Sequence, residues 1–453
     1  MYFTVTLALF GWPILAVALF ALLEQRQAVL VAFIGACLFL PIAHYEVPGI
    51  PDYTKESAAS FGIMAGTLLF ARSRLFRLRI HWIDFPVILF CLWPATSSLS
   101  TGKGGWDAIS AIIQQTTIWG MPYLFGRIYF TDLQSLRMMT TAVIIGGLIY
   151  VPFCLFEVRM SPQLHIWVYG FHQHSFAQTI RFGGFRPVVF MEHGLAVSMW
   201  MISATLLTIW MSLTSAMRRV GGVPVNTVIG ILVVTCVLCK STGALSLLLI
   251  GIGTGLLAKA SHSSLPLKML IAIAPVWMIS RTFDLFSGQF VSDLFVGFSA
   301  DRAASFVTRL KQEDEILKIA LQHYVFGGSR WFDEGADQQW LLCFRNFGAV
   351  GLTAMTGIFL LPGFVILKRF AFHQLVQPAL APLVGMSMIL ILHMTDNLLN
   401  AMNNPVFTMM SGALGAVIAS GLAEDAVATN HAAVRHTRPM AISRKLWPPR
   451  ISV

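Results

Sequence analysis

The sequence predicts an all-α protein, a polytopic transmembrane bundle of about 12–14 spans with one long external loop carrying an amphipathic helix. Three observations predict it. Of the 453 residues, 56% are hydrophobic and only 11% are charged, a composition that no water-soluble fold can hide. Apolar runs of about 17–25 residues, long enough to cross a hydrocarbon core, recur from end to end. Basic residues gather in alternate connections, as the positive-inside rule requires. The formal charge of +10 is therefore read as membrane topology, and nucleic acid is not expected as a partner.

Taken in order, the apolar runs fall near residues 3–22, 27–43, 58–71, 83–99, 107–126, 138–157, 187–212, 225–239, 243–258, 266–280, 344–367, 376–395 and 404–422. The third, eighth, ninth and tenth are short for a full crossing. Placing Arg72, Arg74, Arg77 and Arg79 inside puts Arg127, Arg137, Arg218, Arg219, Lys259, Lys268, Lys368 and Arg369 on that side too, with an external N-terminus. Residues 1–423 then form the membrane domain. Residues 424–453 read as a basic, disordered cytoplasmic tail. Two external segments exceed mere connections, 158–186 and 281–343. In the second, Phe306, Leu310, Leu317, Leu321 and Tyr324 recur at helical spacing, an amphipathic helix expected on the bundle or the outer membrane surface. The six cysteines sit in or beside apolar runs, where packing is a better reading than disulfides or zinc.

Charge inside an apolar chain needs a partner or a task. The stretch Arg181 to Trp200, RFGGFRPVVFMEHGLAVSMW, concentrates it. Pro187 reads as a first helical residue, which sets Arg181 and Arg186 just outside the membrane. His193 then falls two turns in, on the face of Arg186. Arginines beside a helix N-terminus suit a phosphate or pyrophosphate. Lys240, Arg302 and Arg309 fall on the same side and extend the site. Bland alternatives are interfacial snorkelling for Arg181, Arg186 and Lys240, a helix-neighbour partner for Glu192, and an i, i+4 pair of Arg309 with Glu313. Asp333, Glu334 and Asp337 offer general bases, although Asp337 also suits a helix cap before Gln338. His393, Asp396 and Asn397 form a second polar patch or a structural hydrogen-bond network.

Arg181-x-x-Gly184 leads into a span, an arginine-led helix from Arg309 runs to Phe326-Gly327-Gly328, and Asp337-Gln338-Gln339-Trp340 precedes Gly348-Ala349-Val350-Gly351. This order, over about residues 140–420, resembles the O-antigen ligase and polymerase superfamily of bacterial inner-membrane glycosyltransferases. The resemblance implies metal-independent, inverting glycosyl transfer from an undecaprenyl-pyrophosphate-linked glycan at the periplasmic face, with no cofactor. The partners it implies are glycan donor and acceptor, the lipid bilayer and a chain-length regulator protein. By it, Arg181, Arg186, Arg302, Arg309 and Lys240 bind the pyrophosphate, with Asp337, Arg186 and His193 as catalytic residues. The ligase branch typically carries a histidine where Asp337-Gln338 stand, which favours a polymerase of O-antigen, capsule or exopolysaccharide. Transfer of the glycan to a lipid or protein acceptor, and carriage of a lipid-linked anion by a flippase, are the competing readings.

Overall fold

A computed structural model describes residues 2–47, 49–285, 300–329 and 337–421, with backbone alone for 300–306. Asp333, Glu334 and the basic tail lie outside the described residues. The order of helices is α1 Phe3–Leu22, α2 Gln25–Phe39, α3 Lys55–Phe70, α4 Arg72–Phe76, α5 Phe85–Ser100, α6 Gly105–Gln115, α7 Met121–Tyr129, α8 Leu133–Met160 and α9 Leu164–Tyr169. There follow α10 Gly194–Leu213, α11 Val225–Leu238, α12 Thr242–Ala260, α13 Leu265–Thr282, α14 Ala300–Ala320, α15 Gln339–Arg369, α16 Phe372–Leu375, α17 Ala381–Asp396 and α18 Pro405–Ser420. Strand is confined to three two-stranded hairpins among the described residues.

Among the described residues, seven helical stretches are long and apolar enough to cross a membrane: α1, Trp82–Ser100, α8, α10, α12, α13 and α15. Four more apolar helices, α2, α11, α17 and α18, are shorter. The architecture is that of a polytopic helical membrane protein. The expected run 107–126 lies within one continuous helical stretch, 105–129, in which five π-helical residues, Thr116–Gly120, join α6 to α7. Arg127, read from sequence as a loop charge, instead points into the bundle from α7 and holds Asp84 by two bonds of 2.6 and 2.9 Å. All six cysteines are free thiols.

Nearly every residue of α10, α17 and α18 is buried, so these form the centre of the bundle. Small residues let helices meet backbone to backbone there. A Cβ at Gly126 of α7 would overlap the Met409 carbonyl of α18, and one at Gly412 would overlap the Tyr123 carbonyl.

The helix α14 lies against α15 with Leu310, Glu313, Leu317 and Ala320 buried. Glu313 meets Arg281 at the end of α13, Nε to Oε1 at 2.9 Å, and the same guanidinium reaches Asp314. Glu313 is thereby taken by α13, and the i, i+4 pair with Arg309 does not form.

Beyond α14 the chain crosses α15 at its break. Gly348 has φ 65° and ψ −168° inside that helix, and Gly327 has φ 86°. The Gly328 amide donates to the Arg345 carbonyl at 2.7 Å and the Ala349 amide to the Tyr324 carbonyl at 2.6 Å. A Cβ on Gly348 would overlap the Val325 carbonyl oxygen, and one on Gly327 that of Asn346. Gly327-Gly328 and Gly348 are thus the two halves of one backbone crossing. Gly348→Ala combines a left-handed φ with that overlap, and is expected to cost about 3 kcal/mol or more. A lowered melting midpoint of the detergent-solubilised protein would show it; an unchanged midpoint would refute the crossing as a strained contact.

Candidate functional site

The site is built where α10, α12, α15 and α17 end at the same side of the bundle. Upstream of α10, Ile180 pairs with Phe185 and Arg181 with Gly184 in a hairpin that turns at Phe182 and Gly183, φ 49° and 66°. The Arg186 amide returns to the Thr179 carbonyl at 2.7 Å.

Residues 187–193 are not helical, contrary to the sequence expectation. Glu157, buried near the end of α8, accepts the Val188 and Val189 amides on one oxygen, at 2.8 and 2.7 Å, and the Leu164 amide on the other at 3.1 Å. The Phe190 amide donates to the Tyr150 hydroxyl. Glu157 thus anchors this segment, and Val189 takes a left-handed φ of 54°, which an α-helix does not contain, so α10 begins at Gly194. His193 is its N-cap, not a residue two turns in: Nδ1 accepts the Leu195 amide at 3.0 Å, and Nε2 lies 3.1 Å from Gln178 Oε1. Because Nδ1 accepts, the proton sits on Nε2 and is donated to Gln178. Burial, then His174, Arg186, Arg181 and Arg309, depress its pKa to about 3, so the ring is neutral.

His193 and its neighbours face a cavity of about 610 Å³. Arg181, Arg186, Arg309, Asp337 and Asp396 line it, together with Ser241, Thr242, Gly243 and Ser246 at the start of α12. Arg186 is only 4% exposed, and its Nη2 donates to the Lys240 carbonyl at 3.1 Å. Two glycines make room for this. A Cβ at Gly194 would overlap the Arg186 stem, and one at Gly184 would overlap the Lys240 ammonium. Lys240, itself at φ 51°, thus stands beside the cavity at the hairpin. Arg309 of α14 reaches the same space and lies 4.0 Å from Asp337, Nε to Oδ2. Arg302 sits on the first turn of α14, where only backbone is described.

Asp337 does not cap α15. The N-cap residue is Gln338, which makes no side-chain cap bond. The Gln339 and Trp340 amides are instead satisfied by the carbonyls of Asn400 and Asn397. Asp337 is left 63% exposed at the cavity rim. Asp396, at the end of α17, is the buried carboxylate of the cavity, 7% exposed and held by Asn400 Nδ2 at 2.6 Å. Sequence reading treated it as part of a polar network; an aspartate in the last turn of an apolar run was the available signal. His393 is not in the cavity lining: its ring packs between Phe359 and Phe407, centroids 4.9 and 4.7 Å away.

Chemically, three guanidinium groups and the first turn of a helix converge on one cleft, against two described carboxylates of which one already faces Arg309. Such an arrangement of charge suits a compact polyanion. No family model, curated protein or solved structure matches the chain.

Proposed function

We propose that the chain is a membrane glycosyltransferase that joins lipid-pyrophosphate-linked oligosaccharide units into a polymer. The observation that carries this reading is the convergence of Arg181, Arg186 and Arg309 on one cavity at a bundle end. In this mechanism they bind the donor's pyrophosphate. A hydroxyl oxygen of the acceptor glycan attacks the donor's anomeric carbon, the bond from that carbon to the pyrophosphate oxygen breaks, and its electron pair leaves with the lipid pyrophosphate. The arginines take up the added charge, which is stabilisation where charge develops. The hydroxyl proton passes to a carboxylate. Asp396 suits that task better than Asp337, because Asp337 faces Arg309 while Asp396 is buried and steered by Asn400. His193 in this reading positions α10 and Gln178, both its ring nitrogens being engaged. The bacterial inner membrane and a periplasmic cavity are part of the proposal, on the strength of the basic-loop asymmetry.

The test is purified protein in nanodiscs supplied with lipid-linked glycan. Longer glycan with released lipid pyrophosphate supports the proposal, whereas passage of unchanged substrate across a vesicle membrane would make the chain a carrier. In the same assay Asp396→Asn is expected to lower turnover by about 10²–10⁴-fold, the range of a lost general base, and Asp337→Asn by less than about tenfold. The reverse order would return the base to Asp337.

A further inference from the structure

A second cavity opens at the same end of the bundle, smaller than the first, with a volume of about 40 Å³. Its charged groups are Lys55 and Glu56 at the start of α3 and Glu192 from the segment before α10; Cys37 of α2, Asn403 and Asn404 add polar atoms. Phe33, Met191, Met199, Met402 and Phe407 give it an apolar floor.

The two cavities share their dividing walls. In the segment 191–196, Met191, Glu192 and Ala196 line the small one, while His193 and Leu195 line the large one. In the segment 399–404, Leu399, Asn400 and Ala401 face the large one and Asn403 and Asn404 the small one. Met402 lines both, so one flexible side chain stands between them.

We infer that the small cavity is the acceptor subsite, which takes the hydroxyl edge of a neutral sugar at the growing end of the second glycan. This rests on the reading of the large cavity as the pyrophosphate site. A reaction between two glycans needs two places, and the two cavities differ in the way the two substrates differ. The large one is cationic. In the small one a single ammonium faces two carboxyl groups, so an anion gains nothing there. Two acceptors stand open to a ligand: Asn403 Oδ1 is buried without a hydrogen-bond partner, and Glu192 presents a carboxyl group, whereas Asn404 Oδ1 already accepts the Val406 amide and Glu56 the Thr54 hydroxyl. Hydroxyl groups satisfy such acceptors, and Lys55 in turn donates to a hydroxyl oxygen. At about 10–15 Å³ for each water-sized position, the volume fits about three hydroxyl groups, which is one edge of a pyranose. Its aliphatic face would lie on the methionines and phenylalanines.

Glu192 also gives the subsite a pH dependence. Burial raises its pKa to about 7, with Lys55 opposing and Glu56 adding to the shift. The titratable groups facing it are Lys55 and Glu56 from α3 and Cys37 from α2. Below about pH 7 the carboxyl is protonated and loses acceptor strength, so sugar binding strengthens from pH 6 to pH 8.

The experiment is saturation-transfer NMR on the full chain in nanodiscs with free glucose, galactose and N-acetylglucosamine as one set of probes, and 31P line broadening of inorganic pyrophosphate as the other. At least one monosaccharide is expected to give signals that fall about tenfold in Lys55→Met and in the isosteric Glu192→Gln. Those signals should persist in Arg186→Ala and in the presence of pyrophosphate, and the rise from pH 6 to pH 8 should vanish in Glu192→Gln. Equal melting midpoints for wild type and Glu192→Gln establish that the fold is intact. Sugar signals unaltered in both variants, absent from the wild type, or displaced by pyrophosphate would overturn the subsite. Sugar binding that depends on Glu192, in a chain that binds no pyrophosphate, would keep the subsite and remove the donor reading instead.

Discussion

Arg186→Ala is expected to abolish polymer formation, lowering turnover by about 10²–10³-fold, while the chain still inserts and folds. The size follows from how rigidly the side chain is held. Its stem lies against Gly194 at the start of α10, its Nη2 donates to the Lys240 carbonyl, and only 4% of the residue is exposed. A guanidinium fixed in this way loses little entropy when it binds. Arg186→Lys keeps the charge but not the planar guanidinium, and should stay at least about tenfold below wild type. Glycan length on gels and released lipid pyrophosphate from the nanodisc protein are the readouts. Normal polymer length and yield from Arg186→Ala would remove this residue from the mechanism.

The second large effect is structural. Arg281→Ala leaves Glu313 buried between α13 and α14 without its cation. Breaking a buried pair from one side costs about 3–5 kcal/mol. Both partners are almost fully shielded, at 2% and 1% side-chain exposure, so solvent screening relieves little of this. The consequence for function is indirect: α14 carries Arg309, and a loosened α14 withdraws that cation from the cavity. The double variant Arg281→Met, Glu313→Met removes both charges and should recover most of the lost melting midpoint. If the double variant is no more stable than Arg281→Ala, the pair is not what docks α14.

Much of this was legible in the sequence. Each apolar run contains helix, because length and composition alone decide whether a segment can satisfy its backbone in lipid. The meeting of Arg181, Arg186 and Arg309 could be read because few reasons exist to hold cations on one side of a bundle. What could not be read depends on partners distant in the chain. The helix start moved from Pro187 to Gly194 because Val189 takes a left-handed φ of 54° in a segment whose Val188 and Val189 amides are held by Glu157, about thirty residues upstream. The local rule for proline at a first turn has no knowledge of that carboxylate. Glu313 chose Arg281 over its i+4 neighbour because burial between helices strengthens a charge pair that solvent would weaken on an exposed face. Asp396 was passed over since its role depends on which way α17 is rotated, and a helix buried all round gives no periodic signal of its facing.

The large cavity descends α12 from Thr242 through Leu247 to Ile250, about 12 Å of helix. Ile250 lines the cavity and is 41% exposed, beside the still more exposed Leu249. An apolar, exposed stretch of α12 thus borders the cavity. Under the proposed reading a polyprenyl tail can remain in the bilayer throughout a cycle, and capture becomes a search in two dimensions. The effective substrate level is then its mole fraction among the lipids, with bulk molarity of no consequence. Turnover in such a system follows surface dilution: inert phospholipid added at constant total substrate slows the reaction, and rate laws for this chain belong on a per-area scale.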